Sequence, residues 1–314
     1  MRLESILRKS QKELKQALVK ELTLLGYRPH TRKGYIYAKG TIPVLLVAHL
    51  DTVHHERVKT ICYSSSNILM SPEGIGGDDR AGVYMVLQIL KEQRCHVLFC
   101  EDEEVGCLGA IAFTEGGVKP AVNYIVELDR RGSNDAVFYD CANPDFTKFV
   151  CSFGFEEDFG TFSDIAVIAP HLGVAAVNIS AGYYSEHTMH EHINLVQTRR
   201  NIEKVSKMIA TPTEKFEYIE SRMLYMRGYE DTRVLSPTPE SAYFIDQDGE
   251  IIECSDSLWI DSHGVLYEYF CELGVAVELA GCSVFTETGM PVRFNSHHAE
   301  LVEIVPLEYI YDCI

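Results

Sequence analysis

Carboxylate and imidazole side chains cluster at four places in the first half of the sequence, each beside an apolar run. The groups are His49 with Asp51, Asp78 with Asp79, Glu101 with the acidic residues that follow it to Glu104, and Glu127 with Asp129. Charged side chains at the ends of buried segments are costly unless a counter-charge neutralises them. Mostly acidic groups that include one imidazole therefore indicate bound cations. This mixture of ligands suits zinc, with manganese and cobalt as alternatives.

These four groups must be positioned by the apolar segments that precede them. Strands are predicted over residues 34–38, 43–48, 95–101, 122–128 and 174–179, and helices over residues 3–25, 79–93, 107–114 and 194–209. Alternating strands and helices indicate an α/β fold, a three-layer sandwich with a mostly parallel central sheet. In an open sheet of this kind, sites form where the parallel strands end. His49 and Asp51, two residues apart after one strand, would then face one point together.

The alternation of strands and helices ends near residue 210, which predicts a first domain over residues 1–210 that carries all four groups. Proline and polar turn formers are frequent in the next stretch, so residues 211–240 are interpreted as a linker. Residues 241–314 contain short strand-like runs and one predicted helix, Gly264–Leu273. They are interpreted as a small accessory α+β domain that could shape the cleft, bind a protein partner or mediate self-association.

Charge and hydropathy exclude several classes of partner. The 314 residues carry a formal charge of −18. A polyanion repels the phosphate backbone, so nucleic-acid binding is not expected. No run of about 18 apolar residues predicts a membrane-spanning helix. The charged N-terminal segment is unlike a secretory signal, so a cytoplasmic protein is expected, with its ten cysteines as reduced thiols.

Five motifs follow one another in the order shared by a known family. They are His49-Leu-Asp51-Thr-Val53, Gly77-Asp78-Asp79-Arg80-Ala-Gly82, Asp102-Glu103-Glu104-Val-Gly106, Asp129, and the segment from Gly182 to Glu191 that contains His187 and His190. With these motifs, residues 35–205 resemble the co-catalytic di-zinc exopeptidases, especially the peptidase T-like tripeptidases. Helix capping or a solvated acidic loop would explain any one motif alone. Those explanations do not account for five motifs in the family's order.

The resemblance implies a metal-binding role for five residues and two zinc ions per chain. Asp78 would bridge both metals. His49 and Asp129 would complete the ligands of one metal, and Glu104 and His187 would complete those of the other. Two metals about 3.5–4 Å apart can share a hydroxide and polarise a scissile carbonyl.

The resemblance also implies two catalytic residues. Glu103 would act as the general base, taking up a proton and passing it to the leaving amine. Asp51 would orient the neighbouring imidazole ligand through its second ring nitrogen. The peptide bond between Asp78 and Asp79 is expected to be cis, as it is in the family. His190 is expected to contact the metal-ligating side chains without binding a metal itself.

Departures from the family pattern shape the expected substrate cleft. The interval from Asp129 to His187 is too short for the lid domain of peptidase T-like enzymes, which predicts a more open, aminopeptidase-like cleft. Without the lid, Tyr183 and Tyr184 are candidates, by proximity alone, for stabilising the oxyanion. Arg80 stands where relatives often carry lysine. It either pairs with the preceding aspartate or simply starts a helix.

The sequence therefore predicts a zinc-dependent metallopeptidase, an aminopeptidase-like exopeptidase that hydrolyses short peptides through a metal-bridging hydroxide. The alternative is a deacylase that uses the same two-metal site on N-acyl amino acids or related amides. A second alternative is a non-catalytic scaffold that binds metal and recognises a partner. The presence of Glu103 argues against the scaffold, because a protein without activity has little need for a general base.

Overall fold

The computed structural model describes residues 1–160 and 162–220 in full, and beyond residue 220 it describes the backbone of the strands alone. The chain divides into two compact units, Met1–Ser221 and Arg222–Ile314. No helix of the described residues is long and apolar enough to cross a membrane.

The first unit alternates strands with helices. Its helices are α1 (Leu3–Leu7), α2 (Gln11–Leu24), α3 (Gly77–Ile89), α4 (Leu108–Glu115), α5 (Pro144–Cys151), α6 (Asp164–Leu172) and α7 (Leu195–Ala210). Its strands are β1 (His30–Arg32), β2 (Tyr35–Ala38), β3 (Ile42–His49), β4 (Cys62–Tyr63), β5 (Ile68–Met70), β6 (Cys95–Cys100), β7 (Tyr124–Arg130), β8 (Asp135–Val137), β9 (Glu156–Asp158), β10 (Ala176–Ser180), β11 (Tyr183–Tyr184) and β12 (His192–Asn194). The predicted alternation is confirmed.

Eight of these strands form one sheet in the order β1-β2-β6-β3-β7-β10-β8-β9. The four central strands, β6, β3, β7 and β10, pair in parallel. Strand β2 pairs antiparallel with β6 on one side, and β8 pairs antiparallel with β10 on the other. The mostly parallel central sheet that the sequence predicts is therefore confirmed. Because the four central strands run the same way, their C-terminal ends meet at one edge of the sheet.

Helices cover both faces of this sheet, so the central strand β3 is buried on both sides. Val44 and Leu46 belong to a hydrophobic cluster formed with α2, α3 and α7. Leu45 and Val47 belong to a second cluster formed with α4 and α6. Successive residues of a strand point to opposite faces, so a strand buried on both faces needs apolar residues throughout. The two clusters and the sheet between them form the predicted three-layer sandwich.

The single helix predicted over residues 3–25 is wrong, because the chain forms two helices there. Helix α1 ends at Leu7, and α2 begins at Gln11. The Ser10 hydroxyl accepts a hydrogen bond from the backbone amide of Glu13, and the Glu13 carboxylate accepts one from the backbone amide of Ser10. This reciprocal capping box starts a new helix. It interrupts an apolar pattern that looks continuous in the sequence.

Arg80 ties α1 to α3. Its guanidinium is buried and donates hydrogen bonds to the carbonyl oxygens of Ile6, at 3.2 Å, and Lys9, at 2.7 Å. Carbonyl groups at the end of a helix lack partners within that helix. Arg80 supplies a donor for Lys9 and a second one for Ile6, whose carbonyl oxygen also accepts from the amide of Lys9. The neighbouring Asp79 accepts backbone hydrogen bonds instead. Arg80 therefore stands at the start of α3, as one of the two sequence interpretations has it, and its side chain bonds to α1 instead of pairing with Asp79.

Replacing Arg80 with methionine is expected to lower the free energy of unfolding by about 1–3 kcal/mol, because the carbonyl oxygen of Lys9 loses its donor and that of Ile6 loses one of its two donors. Urea denaturation of the wild type and the variant measures this difference. Arg28→Met, at an exposed position, is the matched control and should change stability by less than about 0.5 kcal/mol. An Arg80→Met variant as stable as the wild type would contradict the structural role of Arg80.

Residues 211–220, which the sequence analysis assigns to the linker, lie within the first unit. Isolated β-bridges join Glu217 with Val174 and Glu220 with Cys141. Nearby aromatic side chains of this segment pack against the hydrophobic cluster of α2, α3 and α7. The division of the chain into a domain over 1–210, a linker over 211–240 and a second domain over 241–314 stays a prediction.

The second unit is described by its strands. They are β13 (Leu235–Pro237), β14 (Ala242–Ile245), β15 (Ile251–Ile252), β16 (Leu258–Asp261), β17 (Leu266–Phe270), β18 (Val275–Glu278), β19 (Ser283–Thr286), β20 (Val292–Phe294) and β21 (Leu301–Ile304). The helix predicted over Gly264–Leu273 is wrong, because β17 lies there and pairs antiparallel with β16 and β18. This segment holds three aromatic residues, whose preference for strands outweighs the helical spacing.

Candidate metal centre

The acidic and histidine motifs meet at the edge of the sheet where the parallel strands end. His49 is the last residue of β3, and Asp129 lies near the end of β7. Glu104 follows β6, Asp78 lies in the first turn of α3, and His187 lies between β11 and β12. The fold therefore brings five side chains from five separate segments to one place.

Asp78 lies between the other four side chains. Its Oδ1 is 3.0 Å from Nε2 of His49, and the same Nε2 is 3.4 Å from Oδ1 of Asp129. Its Oδ2 is 3.2 Å from Nε2 of His187, and that Nε2 is 3.0 Å from Oε2 of Glu104. The five side chains thus form two groups that share one carboxylate, with one oxygen facing each group. A carboxylate placed in this way is suited to bridging two cations.

Asp79 also approaches this centre, since its ligand atom and those of His49 and Asp129 lie within 4.8 Å of one another. Its carboxylate is occupied by the backbone: Oδ2 accepts from the amide of His49 at 3.1 Å, and Oδ1 from the amide of Gly82 at 3.0 Å. Asp79 therefore holds β3 against α3, and Asp78 remains the better ligand. The peptide bond between Asp78 and Asp79 is cis, as the resemblance implies.

Asp51 contacts residues of both ligand groups without belonging to either group. Its Oδ1 lies 3.2 Å from Nδ1 of His49, which turns Nε2 of the ring towards Asp78. Its carboxylate also accepts hydrogen bonds from the backbone amides of Glu103, at 3.1 Å, and Glu104, at 3.0 Å. Burial alone would raise the pKa of Asp51, but these hydrogen bonds lower it below its usual value, so the carboxylate is charged. The side chain of Asp51 thus fixes both the orientation of the His49 imidazole and the position of the loop after β6.

The carboxylates of the centre are crowded together in a buried place, which raises the pKa of several of them. Burial raises the pKa of Asp129 to about 7 and that of Glu103 to about 8; neighbouring carboxylates add to this effect and His49 opposes it. Burial, followed by the charge of Asp78, also raises the pKa of Glu104. Among the described residues, Oε1 of Glu104 is buried without a hydrogen-bond partner. Crowded carboxylates and a buried oxygen without a partner fit divalent cations, and the nitrogen and oxygen donors fit zinc.

The same carboxylates also raise the pKa of the two imidazoles. Burial alone would lower the pKa of His49, but Asp129, Asp51 and Asp78 raise it well above its usual value. The hydrogen bond to Asp78 raises the pKa of His187 to about 9, although this ring is half exposed. Each ring therefore sits where a positive charge is favoured, which is the position that a bound cation would take.

Glu191 holds Asp78 in place, a role that the sequence analysis did not assign. Its Oε1 accepts from the backbone amide of Asp78 at 2.8 Å, and its Oε2 accepts from the amide of Gly76 at 3.0 Å. Nε2 of His54, a histidine outside the motifs, lies 2.7 Å from the same Oε2. The position of Glu191 in the fifth motif was the available signal. The contact itself joins residues 113 positions apart, which local spacing does not reveal.

Glu191→Ala is expected to weaken zinc binding about 10- to 100-fold, because the amides of Gly76 and Asp78 lose the acceptor that orients the shared carboxylate. Competition with a chromophoric chelator measures the affinity. Glu115→Ala, at an exposed position at the end of α4, is the control and should bind zinc as the wild type does. Equal affinities of the Glu191 variant and the wild type would exclude this role.

A second polar cluster lies buried behind Asp129, and the sequence analysis missed most of it. Asn178 accepts from the backbone amide of Asp129 at 2.9 Å, and Ser163 donates to Glu127. Asp164 is fully buried and burial raises its pKa to about 6; among the described residues no nitrogen or oxygen donates to its carboxylate, and the thiols of Cys100 and Cys107 oppose the shift as hydrogen-bond partners. Ser163 and Asp164 start α6, which the sequence analysis did not predict. A serine followed by an aspartate at a helix start was the available signal.

Both tyrosines suggested for the oxyanion have partners in this structure. The hydroxyl of Tyr183 lies 2.9 Å from the carbonyl oxygen and 3.2 Å from Oδ1 of Asp129, so it helps to orient a proposed ligand. The hydroxyl of Tyr184 donates to Gln197. His190 is exposed, and its hydrogen bonds run through its backbone amide and carbonyl groups. That His190 contacts the metal-ligating side chains stays a prediction.

A cavity of about 150 Å³ opens over the two groups. Its walls include the carboxylates of Glu103 and Glu104 and the imidazole of His187. The other lining side chains are Asp78, Asp129, Arg130, Arg131, Tyr139, Phe162, Tyr183 and Glu186. A space of this size admits a small group, and the shared carboxylate of Asp78 forms part of its wall.

The parallel sheet between helical layers is a fold that this chain shares with solved peptidase structures. Among solved structures, an aminopeptidase PepT from Bacillus cereus matches with a TM-score of 0.56 and 14% identity, over 67% of this chain and 97% of that chain. A tripeptidase from Staphylococcus aureus matches with a TM-score of 0.54 and 13% identity, over 66% and 95% of the two chains.

The same fold also carries a different reaction. A glutaminyl cyclase from Bacteroides thetaiotaomicron, solved with N-acetylhistamine, matches with a TM-score of 0.53 and 15% identity, over 67% of this chain and 96% of that chain. No family model matches the chain, and no curated protein matches its sequence. At these identities the likeness shows the fold alone, so the activity must be argued from the site.

Proposed function

We propose that the protein is a zinc-dependent hydrolase of peptide bonds, an aminopeptidase-like exopeptidase that acts on short peptides. The observation that carries this proposal is the sharing of Asp78 by two ligand groups, with Glu103 beside them in the same cavity. A carboxylate with one oxygen facing each group suits a pair of cations better than a single one.

The proposed ligands divide between two zinc ions. His49, Asp78 and Asp129 would hold one ion, and Asp78, Glu104 and His187 would hold the other. Bound there, the ions supply Lewis acidity that polarises a scissile carbonyl and activates water. Three protein ligands for each ion leave room for substrate, as catalytic zinc sites require.

Glu103 is the proposed general base. Its Oε2 lies 3.9 Å from Nε2 of His49, so this oxygen faces the ligands, and its side chain lines the cavity. From this place the carboxylate can take a proton from the attacking water and return it to the leaving amine. Asp51 is bonded to the imidazole of His49 and to the backbone of Glu103, so the ligand and the base keep a fixed separation.

Short peptides are the proposed substrates, and N-acyl amino acids are the alternative. Deacylation of an N-acyl amino acid breaks the same kind of amide bond and needs the same base and Lewis acidity. The difference between these substrates is the group that must fit the cavity beside the ligands: a free amine or an acyl chain. A substrate panel therefore has to separate them.

Elemental analysis of zinc-supplied protein, run with a substrate panel, tests the proposal. The panel contains peptides with free N-termini, their N-acetylated forms and a peptide that begins with glutamine. About two zinc ions per chain with release of the first residue from free peptides alone would support the proposal. Cleavage of the acetylated forms instead would indicate a deacylase, and cyclisation of the N-terminal glutamine a cyclase. Bound zinc without any turnover would favour the scaffold, and no bound zinc would overturn the metal centre.

A further inference from the structure

The loop between β6 and α4 folds back so that residue 107 faces residue 103. The backbone amides of Gly106 and Cys107 both donate to the carbonyl oxygen of Glu103, each at 2.9 Å. This turn brings Sγ of Cys107 to 3.7 Å from Oε1 of Glu103, within the range of a thiol hydrogen bond. Cys107 is fully buried, so the thiol approaches the carboxylate from the interior of the protein.

We infer that Cys107 is a positioning residue for Glu103, whose thiol holds Oε1 so that Oε2 faces the metal centre. The inference rests on the proposed function of Glu103 as the base. The two oxygens of this carboxylate have different neighbours: Oε1 accepts from the thiol, and Oε2 lies 3.9 Å from Nε2 of His49. A donor on one oxygen selects one orientation of the carboxylate, and the other oxygen is then aimed at the site. A base acts efficiently when it is held in the reacting geometry.

The backbone at Cys107 adds a second reason. Its φ of 51° and ψ of 37° lie in the left-handed region, which glycine adopts at less cost than cysteine. Cys107 precedes the first turn of α4, yet within the described structure its side chain makes no capping hydrogen bond. Neither backbone conformation nor helix capping explains a cysteine here. The contact with Glu103 does.

The chemistry of a thiol fits this task. Burial, followed by the charges of Asp164 and Glu103, raises the pKa of Cys107 above its usual value, and a hydrogen bond with the Asp164 carboxylate adds to this shift, so the S–H group is protonated and can donate. A thiol is a weak donor. It can therefore favour one orientation of Glu103 without withdrawing as much electron density from the carboxylate as a hydroxyl or an amide would.

Substitutions at Cys107 distinguish the effect of losing the thiol donor from the effect of changing the backbone conformation. In the zinc-loaded protein, Cys107→Ala and Cys107→Gly should each lower kcat for peptide hydrolysis about tenfold with KM unchanged, although glycine relieves the backbone. Cys107→Ser keeps a donor and should recover most of kcat. Cys95→Ala removes a buried thiol at the far end of β6 and should leave kcat unchanged. Wild-type kcat in both Cys107→Ala and Cys107→Gly would overturn the inference.

Infrared difference spectroscopy tests the contact without relying on turnover. The S–H stretching band of Cys107 is the band that disappears in Cys107→Ala. A hydrogen bond to Glu103 should set the frequency of this band, so Glu103→Ala should shift it, although Asp164 still lies beside the thiol. A band that does not move in Glu103→Ala overturns the inference, whether or not the protein cleaves peptides. A wild-type protein that binds zinc and cleaves no peptide contradicts the proposed function, while the position of the band still decides the contact.

Discussion

Glu103→Ala is expected to lower kcat for peptide hydrolysis by about 10²- to 10⁴-fold while the protein keeps its zinc. A positioned general base contributes a factor in this range. The carboxylate of Glu103 is not among the proposed ligands, so metal binding should survive its removal. KM should change little, because the base acts on a proton in the transition state and does not hold the substrate. Steady-state kinetics and elemental analysis on one sample give all three quantities.

Two further variants make this result specific. Glu92→Ala removes an exposed carboxylate after α3 and should leave both kcat and zinc content unchanged. Glu103→Gln keeps the size of the side chain and removes its basicity, so it should lose activity as the alanine variant does. If Glu103→Ala keeps its turnover, another group is the base. If it loses zinc together with turnover, Glu103 supports the ligands and its assignment as the base fails.

Asp78→Ala is expected to remove zinc and activity together. Asp78 is the residue that the two ligand groups share, so its loss leaves two protein ligands in each group. The zinc content should fall from about two to below about one per chain under dialysis. The value of kcat/KM should fall at least about 10³-fold, because both the Lewis acidity and its placement are lost. Elemental analysis after dialysis and steady-state kinetics measure the two effects.

Chelator treatment provides the comparison for Asp78→Ala. Wild-type protein stripped of metal should be as inactive as the variant, and added zinc should restore the wild type alone. Asp145→Asn, at an exposed position in the first turn of α5, is the control and should keep both zinc and activity. A variant without Asp78 that still binds two zinc ions would contradict the bridging role and with it the proposed arrangement of ligands.

The Glu103 and Asp78 variants together separate chemistry from metal binding. Loss of turnover in both, with zinc lost only in the Asp78 variant, fits a two-metal hydrolase with a separate base. Loss of zinc in both would mean that Glu103 supports the ligands, and its assignment as the base would fail.

The sheet and most of its helices were predictable because their signals are local. Strand β3 is a run of apolar residues because alternate side chains enter opposite hydrophobic clusters, and this requirement is visible in the sequence. Helices α3, α4 and α7 lie close to the predicted ranges for the same reason. The end of α1 was missed because a capping box acts over four residues inside an otherwise continuous apolar pattern.

Helices α5 and α6 were not predicted, and their sequences explain why. Helix α5 is short, with Pro144 at its first position and Asn143 as its cap. Helix α6 contains Pro170 near its end, and proline usually argues against a helix interior. Packing against the sheet stabilises both elements, and that packing is a tertiary property.

The sequence by itself determined which side chains are present, in what order, and at which strand and helix ends they stand. That was enough to predict a cation site with His49, Asp78 and Asp129 among its residues. Only the tertiary structure decided which atoms meet: one oxygen of Asp78 for each group, Glu191 behind Asp78, and the thiol of Cys107 against Glu103. Periodicity along a chain reports which face of an element a residue occupies. Hydrogen bonds and metal ligation depend on distances of about 2–4 Å between residues far apart in sequence, and only packing determines those distances.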